Sequence, residues 1–321
     1  MKFFNISVLA LITVTSLCLA SCNKDDKKEP KEIILLSSAK IELGYTGGSI
    51  NVGMRFNYDE NNNITEGYDY FLQNKATTQQ IDTNNYYKYT FDRSTAGVVF
   101  VKIYNYNEAG KKWESTNEEK KLIYNGSNLS RIETYNNGIL NSTDKFTWSG
   151  DKAVERHSGL YSVVIDSAKY ANDNYVDYPA STQEYTYASL FIRSTYSAES
   201  TFGGKSNFLN IVPFEFAMVM RHSQAMFPLG QYFSKNALSQ TVKTYQNEEF
   251  EADKTTLHNI RTTKMTTDYV YTYGSISTIY PITIKQIIKS DYSYIDHLNS
   301  SNDDCSENRS ETIITLSLTK K

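Results

Sequence analysis

The sequence predicts a mainly β protein, built on one large twisted antiparallel meander sheet that stays open or curls toward a barrel. Three observations carry that expectation. Aromatic or apolar residues alternate with polar ones in short stretches that end in Asn-, Asp- and Gly-rich turns, the period of two that a half-buried strand requires. Tyrosine is abundant, 26 residues against 15 Phe and 2 Trp, and a ring with a polar tip suits a sheet face that meets water. Only 5 prolines occur, and long apolar stripes of helical period are few.

The N-terminus comes first. Lys2, a largely apolar run from Ile6 to Leu19 and the small residues Ala20 and Ser21 read as a secretory signal over residues 1–21. Ser7, Thr13, Thr15 and Ser16 interrupt the run, which falls short of the roughly 18 apolar residues of a spanning helix. Leu19-Ala20-Ser21-Cys22 resembles the bacterial lipobox, whose cysteine takes a diacylglycerol and becomes the new N-terminus. That resemblance implies lipidation at Cys22 and a membrane partner held through the lipid, each buried methylene contributing about 0.8 kcal/mol. Residues 22–38 follow as a flexible tether, because Asn23 to Pro30 is too densely charged to bury apolar surface. Lys24-Asp25-Asp26 resembles the export signal of surface-displayed lipoproteins, implying an outer-membrane anchor facing the cell exterior, with the periplasmic face as alternative.

Residues 39–321 read as a single β domain of repeated hairpins. Phe56-Asn57-Tyr58 runs into a turn at 59–63, Tyr104-Asn105-Tyr106 into 107–110, Leu122-Ile123-Tyr124 into 125–128 and Phe146-Thr147-Trp148 into 149–151. Tyr269, Tyr271 and Tyr273 alternate before Gly274. Asn-Gly at 125–126 and at 137–138 supplies the positive φ of a tight hairpin. One hairpin is marginal in water, so the units must share a face. The most apolar stretch, Phe208 to Met220, breaks this rhythm and predicts a short helix or plug near 207–233, with 214–223 lying on the sheet. At the end, Ile314, Leu316 and Leu318 alternate with Thr315, Ser317 and Thr319 as a closing strand.

The hairpins resemble, locally, the tyrosine-aspartate repeats of bacterial shell-forming surface proteins, although only Tyr58-Asp59 keeps the dipeptide. The lipobox, the hairpins, Gly204-Lys205-Ser206-Asn207-Phe208 and Phe233-Ser234-Lys235-Asn236 together resemble a family of bacterial lipoproteins with a porin-like fold. That likeness implies architecture and no activity.

Charge and chemistry narrow the function. A net charge of -3 with 21% charged residues offers no basic face for nucleic acid. Of three cysteines, Cys18 leaves with the signal and Cys22 is lipidated, so Cys305 stands alone without an intramolecular disulfide. Gly203-Gly204-Lys205-Ser206 lacks the earlier glycine of a phosphate loop, Glu occupying position 199, and reads as a loop tip. Glu155 and His157 share a strand face but offer only two ligands, which favours a surface charge pair over a metal site. Asp291, Asp296, Asp303 and Asp304 lack calcium-loop spacing and read as a solvated acidic loop. His222-Ser223 carries no triad signature, and Asp166-Ser167-Ala168 resembles a bacterial O-glycosylation acceptor. No metal, cofactor or catalytic residue is expected. Tyr58, Tyr106, Tyr124, Trp148, Tyr271 and Tyr273 are the candidate ligand-face aromatics, with packing of the rings on one another as the simpler role. These features favour a surface-exposed lipoprotein acting as a non-enzymatic structural or binding module for a glycan, peptide or protein. An extracellular polymer hydrolase is the alternative and a membrane-embedded barrel the lesser one.

Overall fold

Alternation along the chain becomes a long series of strands. The computed structural model describes residues 33–45, 48–75, 78–159, 163–176, 181–187, 189–220 and 229–321. The first strands are β1 (Ile34–Tyr45), β2 (Gly48–Tyr58), β3 (Ile64–Lys75), β4 (Thr78–Thr95) and β5 (Val98–Asn107). Then come β6 (Lys112–Asn125), β7 (Asn128–Asn136), β8 (Ile139–Ser149), β9 (Lys152–Ser158) and β10 (Val163–Ser167). A small hairpin of β11 (Lys169–Ala171) and β12 (Asn174–Val176) leads to β13 (Ser181–Tyr187) and β14 (Leu190–Ser206). After the plug follow β15 (Asn236–Glu251), β16 (Leu257–Thr272), β17 (Thr283–Asp296) and β18 (Asp304–Lys320).

The compact unit Ile34–Lys320 holds one 16-stranded antiparallel sheet. Its order runs from β10 back to β1, then from β18 back to β13. Two meanders are thus joined where the first strand meets the last, Ile34 opposite Lys320 and Gly44 opposite Glu311. Among the described strands β10 and β13 do not pair with each other, so the sheet is not closed into a barrel. The β11–β12 hairpin bridges its two arms instead. Tyr170 Oη donates to Ala153 O of β9 at 3.2 Å, Lys152 Nζ meets Asp173 Oδ1 at 2.7 Å, and the Asn236 N–H of β15 donates to Asn174 Oδ1 at 2.9 Å.

Two boundaries differ from expectation. The sheet begins at Ile34, so residues 34–38 are strand and not tether: no charged residue lies between Glu32 and Lys40, and Leu36 is fully buried. Gly203 to Ser206 is the irregular end of β14 and not a loop tip, its register shifting between Phe202 and Ser206. The two Asn-Gly pairs also make different turns. At 137–138 both residues have positive φ, 50° and 76°, between the paired Asn136 and Ile139, a type I′ loop. At 125–126 only Gly126 does, φ 60°, and the loop is Gly126-Ser127 between Asn125 and Asn128, so the pairing is offset by one residue.

One face of the sheet carries the core. Leu36, Val52, Met54, Tyr89, Val101, Ile103, Leu122, Leu129 and Ile284 are almost wholly buried there. The other face alternates with it and is charged. Lys40 pairs Glu42, Lys285 Nζ lies 2.8 Å from Glu311, and Arg55 sits 4.3 Å over the Tyr68 ring.

The plug expected across 207–233 covers the apolar face. It comprises a 3₁₀ turn at Phe208–Ile211, a short helix at Phe214–Val219 that follows Pro213, and a single turn at Leu229–Tyr232. The helix ends at Val219, Met220 being extended; residues 221–223, included in the expected helix, lie outside the described residues. Phe216 fits the sheet at Gly67, where a Cβ would stand 2.2 Å from the ring. Gly67 pairs with Phe56 on one side and Tyr89 on the other. Both rings meet Phe216 edge-to-face, at 4.9 and 5.4 Å between centroids. Burying such a ring contributes about 1.5–3 kcal/mol. Glu215 anchors the helix, accepting from Arg93 Nη2 at 2.5 Å and from Tyr124 Oη at 2.8 Å.

Candidate functional site

Side-chain parity decides where each sequence-predicted aromatic lies. Tyr58, Tyr124, Trp148 and Tyr271 turn toward the plug and pack on the core. Their polar tips are engaged: Tyr58 Oη donates to Leu36 O at 2.7 Å, Tyr271 Oη to Leu238 O at 2.6 Å, and Trp148 Nε1 to Leu129 O at 2.7 Å. Burial pushes the phenols of Tyr58, Tyr124 and Tyr271 well above their usual range. Tyr106 sits on the opposite face, with Tyr86 at 5.8 Å and Trp113 at 5.3 Å between centroids. Tyr273 lies just past β16, Lys205 Nζ standing 5.1 Å over its ring. The six do not share one open surface. Four line the core, one belongs to an outward aromatic cluster, and one closes a strand end.

The space left between plug and sheet is the candidate site. A cavity of about 380 Å³ opens there, within the range of about 300–1,000 Å³ typical of small-molecule sites. Its apolar wall combines Leu36, Ala39, Ile41 and Met54 of β1 and β2 with Ile314 and Leu316 of β18. The plug adds Phe208, Leu209 and Val212. Tyr269, Tyr271, Gln286, Thr312 and Lys243 complete it on the strands β15 to β18.

Each element is held for a local reason. Asn207, 5% exposed, fixes the plug's two ends together: its Oδ1 accepts the Leu209 N–H at 3.1 Å, and its Nδ2 donates to the carbonyls of Gln231 and Ser234. A buried amide is stable only when its donors and acceptor are met, and these bonds meet them. Tyr232 Oη donates to Val212 O, closing the same loop. The wall is paired strand throughout, Ala39 opposite both Met54 and Leu316, and Ile41 opposite both Val52 and Ile314.

Lys243 is the charged group of this cavity. It is half-buried, and among the described residues no carboxylate pairs with it. Cross-strand register places Ala198 and Met265 opposite it. Sequence reading passed Lys243 over, because Thr241-Val242-Lys243-Thr244 shows no clean alternation. The signal available was its parity with Thr241 and, across the strand pair, with Tyr269 and Tyr271.

The remaining motifs resolve as follows. His157 Nε2 and Glu155 Oε2 are 3.0 Å apart on β9. Among the described residues no group of three or more His, Cys, Asp or Glu could hold a metal ion. In the acidic loop, Asp296 accepts the Leu298 and Asn299 N–H groups, and Asp303 accepts that of Asp296. Cys305 is exposed. Asp166 and Ser167 end β10. Cys22, Lys24-Asp25-Asp26, His222 and Ser223 lie outside the described residues.

No protein-family model matches the chain. No curated protein matches it either. Among solved structures, a porin-like protein from Bacteroides uniformis is similar at 8% identity, covering 88% of this chain and 96% of that one, with a TM-score of 0.45. A porin-like protein from Bacteroides vulgatus is similar at 8% identity over 88% of this chain and 98% of that one, with a TM-score of 0.25.

Proposed function

We propose that this protein is an exported, lipid-anchored binding module that holds a small molecule with an apolar body between its plug and its sheet. The cavity walled by Ala39, Ile41, Met54, Ile314 and Leu316 carries the reading. An apolar hollow costs packing energy unless something fills it, so retaining one beside a well-packed plug favours a ligand role. The anchor is proposed from Cys22 and its lipobox resemblance, with display on the outer membrane, facing outward, from Lys24-Asp25-Asp26. A role in contacting an extracellular glycan or protein is compatible with the outward cluster of Tyr86, Tyr106 and Trp113, but those rings pack edge-to-face on one another.

Side-chain polarity favours this over a membrane-embedded barrel. A lipid-facing barrel is apolar outside and polar within. Here the arrangement is inverted, with Lys40, Glu42, Arg55, Lys285 and Glu311 on the outward face and the apolar core under the plug.

Titration of the purified protein with the neutral fluorophore 1-aminoanthracene tests the cavity. Saturable binding with a blue-shifted emission is expected, weakened at least tenfold in Ala39→Phe, whose ring fills the hollow. No saturable uptake by the folded wild-type protein, or equal uptake by a folded Ala39→Phe variant, would refute the reading.

A further inference from the structure

We infer that the ligand is an amphipathic anion, an alkyl carboxylate or a molecule of that pattern, its head held by Lys243 and its chain lying under the plug. The inference rests on the binding role proposed above and specifies its chemistry.

The pattern is written along the strands. Lys243 lies opposite Met265, and Thr241 lies opposite Thr267. The next inward residues of β16, Tyr269 and Tyr271, pair with Gln286 and Ile284 of β17. Those two pair in turn with Thr312 and Ile314 of β18. Beyond Ile314 on the same face stands Leu316, opposite Ala39. The wall therefore grades from an ammonium, through hydroxyl and amide groups, to aliphatic carbon. A ligand with one charged end and an apolar tail matches that gradient; a sugar or a peptide does not.

The sign of the head follows from the charges present. Lys243 has no carboxylate partner among the described residues; Ala198, Met265, Thr241 and Thr267 beside it are uncharged, as are Gln286 and Thr312 farther along the cavity wall. Two acids on the flanking strands have the opposite parity and belong to the outward face: Glu199, opposite Val242, is exposed, and Asp268 accepts from Gln240 Nε2 at 2.7 Å. A half-buried ammonium without a counter-charge gains from an anionic ligand, which supplies both charge and hydrogen bonds. A neutral alcohol of equal length would fill the same hydrocarbon space and leave the ammonium unpaired.

Isothermal titration of the full protein with dodecanoate, dodecanol and dodecylammonium, each below its aggregation limit, decides the matter. Dodecanoate is expected to bind at least tenfold tighter than dodecanol. Shortening its chain should weaken binding by about fourfold per methylene, equivalent to about 0.8 kcal/mol. Lys243→Met should lower dodecanoate affinity at least tenfold and leave dodecanol unchanged, and Lys243→Glu should shift preference to dodecylammonium. Lys285→Met, on the outward face, should change nothing. Equal affinity of wild type for dodecanoate and dodecanol, or equal weakening of both by Lys243→Met with the β-sheet circular dichroism spectrum intact, would overturn the anionic assignment while leaving an apolar cavity standing. Failure of all three amphiphiles together with 1-aminoanthracene would instead remove the binding role itself.

Discussion

A tyrosine in this protein is defined by where its hydroxyl ends. Tyr58 and Tyr271 donate to carbonyls behind the plug, and Tyr124 donates to Glu215 of the plug helix. Tyr68, on the outward face, donates instead to Glu66 at 2.7 Å. All alternate with polar neighbours at the same period, so composition revealed the sheet but could not tell core tyrosines from surface ones. Turn carboxylates are read more directly. Asp253, between β15 and β16, accepts the backbone N–H groups of Thr255 and Thr256, and both hydroxyls also donate to it. These bonds hold its pKa at about 2, down from the ordinary 3.8. A depressed folded-state value stabilises the turn above the unfolded pKa, and that contribution is lost as pH falls through about 2. An NMR titration of the Asp253 carboxyl carbon should show a midpoint near 2, and Asp253→Asn should remove the turn's acid-dependent chemical shifts; a midpoint at the ordinary value would contradict the bonding.

Hairpins and plug show how far local pattern reaches. Asn-Gly marked both turns, yet the two differ by one residue in register, since Gly126 opens one loop and Gly138 closes the other. The flanking strands decide that choice, because each must keep its apolar residues on the core face. The run Phe208 to Met220 was recognisable as a cover for the sheet, but its seat was not. Gly67 looks like an ordinary strand glycine in sequence, whereas in the fold it is the hole that receives Phe216. Gly67→Ala should therefore destabilise the protein by about 1–3 kcal/mol through overpacking. Phe216→Ala alone should cost about 3–5 kcal/mol. In urea unfolding, the double variant should be less destabilised than the sum of the two, because without the ring the new methyl meets no obstacle. Strict additivity would mean that the ring does not sit on Gly67.

The unit Ile34–Lys320 is an open sheet whose first and last strands meet in its middle, its apolar face covered by a plug. Mainly β architecture, the meander and a covering segment near 207–233 were readable from local alternation and one apolar run. The β1–β18 pairing was not, since it joins residues at opposite ends of the domain, and local period says nothing about distant partners. The cavity depends on that same pairing: Ala39 and Ile41 reach Leu316 and Ile314 only across it, which is why the site could not be composed from sequence. Its occupant is accessible to isotope-filtered NMR on the full protein, with carbon-13 dodecanoate and labelled Ile, Leu and Met methyl groups. The terminal methyl of the ligand should show contacts to Ile41, Met54, Ile314 and Leu316, and the carbon beside its carboxylate should show contacts to the Lys243 side chain. Contacts confined to outward residues such as Trp113, or a reversed polarity with the carboxylate beside Leu316, would contradict the account.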